Sequence, residues 1–325
     1  MNKMYFFQND KECKWMLKEI RDNYPKYLHE SLSFDQIEPK FKKELKEYSG
    51  KKKFYVILDW VQKKSKKNDE VKRGGNPKWL DEIGINTVQS VKNLPENAGI
   101  YITGYDSDIV ELASAKDKGI PIINNACPWV LRIKKQLLEI NSKTHQCIFM
   151  IDKEHMVYEC YKSIIPKDAI IINPSNYKEM IKKHHNGKAV YLVVYAVFRK
   201  KEAARVADYI HANYPNQDNN LYGYKETLCC WVNQGLLEEI EHKTKELDLN
   251  EIWVICSSNG DRSTMSVLSE VKESGADSVI IKKESDIPDC IKNKNIGVLV
   301  APIPISSSVK NIINIIKNKY GQSNE

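Results

Sequence analysis

Short apolar runs alternate with longer segments whose apolar residues recur at helical spacing, and this alternation restarts three times along the chain. Few folds satisfy that constraint: strands alternating with helices build parallel sheets through right-handed crossovers. The first cycle has expected strands at 4–7, 53–59, 86–88 and 99–102, helices at 13–24 and 107–118, and an exposed charged loop at 63–77. The second has a strand at 119–123, a helix through 131–140, then strands at 146–151, 169–172 and 189–194 with helices at 154–162, 175–183 and 200–213. Helix-like spacing over 227–246 leads into the third, with strands at 251–255, 278–281 and 296–300 and helices at 263–274 and 308–319. The expected class is α/β, with three pseudo-equivalent modules carrying small parallel sheets, divided as 1–125, 126–222 and 223–325.

One junction carries chemistry. Cys127 stands where the strand ending at Ile123 hands over to the next helix, and Pro128 suits a first helical position because its missing N–H needs no partner there. A thiol at that place feels the positive end of the helix dipole, which favours the thiolate, the form that binds metals. Read alone, Cys127 serves equally as a small buried hydrophobe. Cys13 lies at a second strand-to-helix junction and Cys229 falls at a comparable place in the third cycle. The three are roughly 100 residues apart, the length of one module. Ligands of parallel α/β sheets collect outside the carboxyl ends of the strands, so three modules facing inward bring three thiols to one centre. Such a set suits a [4Fe–4S] cluster with one iron left open, or a three-thiolate zinc site. No CxxC pair occurs, which excludes a compact zinc ribbon and a ferredoxin-type run.

Composition narrows the setting. A hydrophobic fraction of 42% suits a globular protein, and no apolar run approaches the roughly 20 residues of a membrane span. The apolar patch after Met1 is too short for a signal peptide, so a cytoplasmic location is expected. Eight dispersed cysteines in a reducing compartment are thiols or ligands rather than a disulfide framework. Cys147 and Cys256 lie in apolar strands and read as core thiols. The net charge of +7 is scattered and lacks the interleaved aromatics of a nucleic-acid platform, so neither nucleic acid nor membrane is an expected partner.

From about Ile100 onward the sequence resembles the LytB/IspH family, the iron–sulfur reductases of 4-hydroxy-3-methylbut-2-enyl diphosphate. Ile100-Tyr101-Ile102-Thr103-Gly104 through Asn125-Ala126-Cys127-Pro128-Trp129-Val130 is similar to that family's strand, helix, strand and Ala-Thr-Cys-Pro-Leu-Val element. Phe6 to Cys13 takes the place of Leu-Ala-Asn-Pro-Arg-Gly-Phe-Cys, with the spacing and the cysteine kept. Thr227-Leu228-Cys229 resembles the third ligand segment, with Cys230 beside it as the alternative thiol. The resemblance implies three α/β modules around a central [4Fe–4S] cluster held by Cys13, Cys127 and Cys229. It also implies a small-molecule substrate and an external electron donor such as ferredoxin or flavodoxin.

The substrate-handling positions of the family are altered. His155 matches the second histidine of Gly-His-x-x-His-Pro-Glu-Val, whereas the glutamate expected to relay protons falls on Val157. The other two active-site histidines fall on Gln62 and Tyr105, and the Thr-Gln-Thr-Thr segment becomes Val194-Tyr195-Ala196-Val197. The late Gly-Ala-Ser-Ala-Pro loop becomes Ala301-Pro302-Ile303-Pro304-Ile305. Ser257-Ser258-Asn259-Gly260-Asp261-Arg262 echoes Ser-Ser-Asn-x-x-Arg after a shift of three residues.

A proton donor is therefore expected in His155, with Glu159 or Tyr105 as substitutes, and substrate contacts in Ser258, Asn259 and Arg262. Arg199 is a further group able to hold a carboxylate. Valine, alanine and isoleucine donate no hydrogen bonds to a diphosphate, so the expected enzyme is an oxygen-sensitive reductase or dehydratase that removes a hydroxyl from a different small molecule. The alternatives are a non-catalytic protein that uses the cluster to bind or sense a ligand, and a metal-free binding protein whose cysteines only pack.

Overall fold

A computed structural model describes residues 4–7, 53–57, 86–88, 90–104, 109–126, 128–154, 157–229, 235–256, 262–291, 294–301 and 307–320. Its strands form three separate sheets, each parallel throughout. The first comprises β2 (Phe54–Ile57), β3 (Asn86–Val88), β4 (Gly99–Gly104) and β5 (Ile122–Ala126), in the order β3-β2-β4-β5. The second comprises β6 (His145–Met150), β7 (Ile170–Ile172) and β8 (Ala189–Val194), in the order β7-β6-β8. The third takes β1 (Met4–Phe6) together with β9 (Glu251–Ile255), β10 (Asp277–Ile281) and β11 (Ile296–Val300), in the order β1-β11-β9-β10. Parallel strands covered on both faces read as continuous apolar runs. β11 has all five residues buried, and β6 all but its first.

Eight α-helices connect or flank the described strands: α1 (Ile109–Asp117), α2 (Pro128–Glu139), α3 (Val157–Tyr161), α4 (Tyr177–His184), α5 (Lys200–Asn213), α6 (Leu237–Glu246), α7 (Arg262–Glu273) and α8 (Ser307–Tyr320). α7 stops where Gly275 takes φ +93°, a left-handed conformation that glycine adopts without penalty, and the Ala276 N–H closes the end on Val271 O at 3.3 Å. Contacts divide the chain into two compact units. One holds 16–196 and 201–227, with the first two sheets; the other holds 1–15, 197–200 and 228–325, with the third.

Four expectations shift. Met4–Phe6, placed by sequence order with the first cycle, pairs in register with Ile296–Val298, and the Phe7 N–H donates to Val298 O at 2.9 Å. Phe7 fills the space over Gly297, where an added Cβ would lie 2.6 Å from the ring. The strand expected at 119–123 begins at Ile122 and runs through Asn124 and Asn125 to Ala126, because β4 supplies backbone partners as far as Gly104. Of the helix expected over 227–246, the regular α-helix is only α6; a 3-10 turn at Gly223–Glu226 precedes the rest. α4 is capped at Asn176 rather than Ser175, whose hydroxyl donates instead to Asn173 Oδ1 at 2.7 Å. The helices expected at 13–24 and the loop at 63–77 lie outside the described residues.

The amino edge of the second sheet is stitched by one buried amide. Gln146 is 2% exposed; its Nε2 donates to Asp168 O at 2.8 Å and His184 O at 3.1 Å, while its Oε1 accepts from the Asn186 N–H at 3.0 Å. Lys188 Nζ adds bonds to Asp168 Oδ2 at 2.8 Å and Ser142 O at 2.7 Å. Partial burial pushes the Asp168 carboxyl up. The Lys188 ammonium, the backbone amide and the Asn186 amide outweigh it, so its pKa lies below the ordinary carboxylate value. This carboxylate therefore contributes stability above its unfolded-state pKa and loses that contribution as pH falls through the lowered value. Gln146→Ala should cost about 2 kcal/mol of unfolding free energy in urea denaturation. Asp168→Asn should flatten the acid limb of a stability–pH profile.

Candidate cluster-binding site

β5 ends at Ala126 and α2 begins at Pro128, so one residue, Cys127, joins strand to helix. Cys127 and Cys13 themselves lie outside the described residues. The first turns of α2 are well defined. Trp129 and Val130 are buried, and the Tyr161 hydroxyl donates to Val130 O at 3.4 Å. The Arg132 guanidinium lies over the Trp129 ring, 4.9 Å from its centroid, and its Nη1 donates to Glu226 O at 3.0 Å. One turn further on, buried Gln136 donates from Nε2 to Gly223 O at 2.8 Å and to Glu226 Oε2 at 3.4 Å. Residues three and four apart share a helix face, so Trp129, Arg132 and Gln136 form one stripe. That stripe grips the 3-10 turn at Gly223–Glu226.

The turn runs directly into the third thiol. Thr227 is fully buried and its hydroxyl donates to Tyr224 O at 3.0 Å, with Leu228 buried after it. Cys229 is partly exposed and packs against a core cluster that includes Phe7, Leu236 and Val254. Of the other described cysteines, Cys290 is exposed and three are not. Cys147, Cys160 and Cys256 are buried, and burial together with the Asp168 charge pushes the Cys147 thiol up, which keeps it protonated. Cys147 and Cys256 are core thiols, as their apolar strands suggest.

Within the other unit, α7 holds three successive residues of the 197–200 segment. Ser266 Oγ donates to Val197 O at 2.8 Å, the Arg262 guanidinium stacks 4.2 Å from the Phe198 centroid, and Arg199 meets two carboxylates. Arg199 is 3% exposed; its Nε lies 3.4 Å from Glu270 Oε2 and its Nη2 2.5 Å from Glu273 Oε2. A guanidinium so occupied is a structural ion-pairing group, which corrects the expectation that Arg199 holds a substrate carboxylate. Arg262 is the only expected substrate contact among the described residues. Glu159 lies in α3, while Tyr105, His155, Ser258 and Asn259 lie outside the described residues. Val157, in place of the relay glutamate, opens α3 and is fully buried. Among the described residues no group of three or more histidine, cysteine or acidic side chains gathers as a metal site, and no helix is long and apolar enough to cross a membrane.

The comparison with known families decides the affiliation: the model described as LytB protein matches residues 75–317. The chain belongs to the LytB family. Cys127 and Cys229 fall inside the matched stretch, and Cys13 precedes it. Among named LytB relatives, the chain is 21% identical to 4-hydroxy-3-methylbut-2-enyl diphosphate reductase from Wolbachia sp. subsp. Brugia malayi over 67% of its own length. That match spans 66% of the Wolbachia protein, just under two thirds. It is 19% identical to the protein of the same name from Clostridioides difficile, over 73% of this chain and 82% of that one. The solved structure of E-1-hydroxy-2-methyl-but-2-enyl-4-diphosphate reductase from Plasmodium falciparum has the same LytB fold, with a TM-score of 0.69 at 14% identity, over 98% of this chain and 90% of that one.

Thiol chemistry and the polar groups of α2 both suit the [4Fe–4S] cluster that the LytB resemblance implies. Cysteine sulfur is its ordinary ligand, and the buried Trp129 Nε1 has no partner in the structure, which suits an acceptor next to Cys127. Arg132 and Gln136 carry no motif in the sequence, although their spacing of four marks a shared helix face.

The ion pairs of Arg199 give a direct test of its role. Arg199→Met removes the guanidinium that meets buried Glu270 and its neighbour Glu273 and should cost about 3–5 kcal/mol in chemical denaturation. Arg199→Met combined with Glu270→Gln should recover part of that loss.

Proposed function

We propose that this chain is an oxygen-sensitive [4Fe–4S] reductase or dehydratase of the LytB type, which removes a hydroxyl from a small molecule other than the family's diphosphate. The observation that carries the reading is the LytB match, which includes Cys127 at the β5–α2 junction and Cys229 after the turn held by α2. In this reading the chain is organised as three modules, 1–125, 126–222 and 223–325, and Cys13, Cys127 and Cys229 each supply one thiolate. The cluster, when bound, supplies an iron with an open coordination position and delivers electrons from a donor such as ferredoxin or flavodoxin. The protein works in the cytoplasm, where its thiols stay reduced.

The chain's own residues bind, orient and protonate. His155 holds the proton passed to the departing oxygen, with Glu159 or Tyr105 in support. Ser258 and Asn259 hold the polar end of the substrate by hydrogen bonds, and Arg262, braced on Phe198, adds a positive charge. Val194, Tyr195 and Ala196 are buried where the family carries its threonine-rich segment, and Ala301 is buried at the start of the altered late loop. Each diphosphate oxygen left without a donor in a closed site costs on the order of 2–7 kcal/mol, which disfavours that substrate. Buried Val157 in the relay position supports a second reading, in which the cluster binds or senses a ligand without turnover.

Anaerobic purification with iron and sulfide counts and an absorbance spectrum tests the cluster. The expected result is a brown protein that loses its iron in Cys127→Ser and Cys229→Ser and keeps it in Cys147→Ala. A colourless, iron-free protein would overturn the reading. With a strong reductant, turnover of 4-hydroxy-3-methylbut-2-enyl diphosphate should be at least ~100-fold below that of a LytB relative, as befits two or more lost hydrogen bonds at about 1.4 kcal/mol per tenfold. Equal turnover would refute the altered substrate.

A further inference from the structure

Each of the three cysteines in the cluster reading is followed two residues later by tryptophan: Cys13-Lys14-Trp15, Cys127-Pro128-Trp129 and Cys229-Cys230-Trp231. None of the other five cysteines has a tryptophan at that spacing, and only six tryptophans occur in the chain. Half of the chain's rarest large side chain thus falls on one offset from three sites chosen for another reason. The family element quoted for Cys127 carries leucine at this offset.

Trp129 is the member whose surroundings are described. It is 6% exposed, and its Nε1 has no hydrogen-bond partner. A buried indole N–H ordinarily finds an acceptor, and one left unpaired costs about 1–3 kcal/mol. Trp253 illustrates the ordinary case: fully buried in β9, it donates from Nε1 to Glu251 Oε1 at 2.7 Å. The Arg132 guanidinium covers the Trp129 ring face and is itself held by Glu226 O, so the indole is fixed on a braced helix turn. Indole nitrogen donates and never accepts. The first-turn N–H groups of α2 are likewise donors without intrahelical partners, so this end of the helix calls for an anionic acceptor.

We propose that the Trp129 indole N–H is a hydrogen-bond donor to the sulfur atoms of the centre held at Cys127, with the recurring Cys-x-Trp spacing as its mark in the sequence. The inference rests on the cluster reading above. Donors to cluster sulfur stabilise the more negatively charged reduced state and raise the reduction potential. Trp129 is a positioning and tuning residue, outside the ligand set.

Potentiometric titration of the full-length, anaerobically purified protein, followed by electron paramagnetic resonance, is the test. Trp129→Phe should keep the wild-type iron and sulfide content and shift the midpoint potential to a more negative value. Trp253→Phe, which removes an indole already bonded to Glu251, should leave it in place. In the unmutated protein grown with indole-15N tryptophan, pulsed resonance on the reduced cluster should show 15N coupling, a readout independent of how the variants fold. Wild-type protein without a cluster would sink the reading and the inference together. A wild-type cluster with no 15N coupling and an unmoved potential in Trp129→Phe would overturn the inference alone. Iron loss in Cys230→Ser with retention in Cys229→Ser would overturn the ligand choice.

Discussion

The bond from the Gln136 amide to Gly223 O, doubled by that from Arg132 to Glu226 O, ties the helix that starts after Cys127 to the turn that leads into Cys229. Residues almost ninety positions apart are thereby held by two donors on one face of one helix. The turn is fixed from its other side as well. Asn220 bridges to Tyr191 of β8, and its Oδ1 accepts the Gly223 N–H at 3.1 Å. The shorter contact from each donor goes to a backbone carbonyl, so the path of the chain is held directly, with Glu226 Oε2 accepting a longer bond from Gln136 at 3.4 Å.

A second restraint acts on the 197–200 segment, which α7 holds by a hydroxyl, a cation–π contact and a buried ion pair. Removing Arg199 and Glu270 from water is expensive, and their mutual attraction offsets that cost only when the geometry is kept. A planar fork that reaches Glu270 and Glu273 together suits the site in a way that a lysine point charge would not. The arginine is thus a device for fixing chain direction.

Local pattern made much of this architecture legible. α5 and β8 have the bounds their apolar spacing implies, and α7 ends at the expected glycine. What escaped was non-local or depended on competing local geometries. The union of β1 with β11 leaves no trace in either strand's own residues. Asn124 and Asn125 look like turn residues, yet β4 offers them backbone partners that outweigh their preference. Of the stretch 227–246 with helical spacing, α6 is helical, and the 3-10 turn just before that stretch is held by α2. For the site, the core thiols were readable from strand position, whereas the role of Arg199 depended on carboxylates some seventy residues away. The Cys-x-Trp recurrence was present in the sequence throughout, hidden because each tryptophan taken singly is adequate as packing.

The pairing of Met4–Phe6 with Ile296–Val298, sealed by Phe7 over Gly297, also bears on how the protein is made. Met4 is synthesised 292 residues ahead of its partner Ile296. Until then the early strand has no template, and β11 has no neighbour on that edge. Loop closure over so long a span is entropically slow, so the third sheet is completed only after Ile296–Val298 has been made. Loss of either strand would expose the same backbone edge, and nascent chains of this protein are expected to lean on chaperones until the two strands have met.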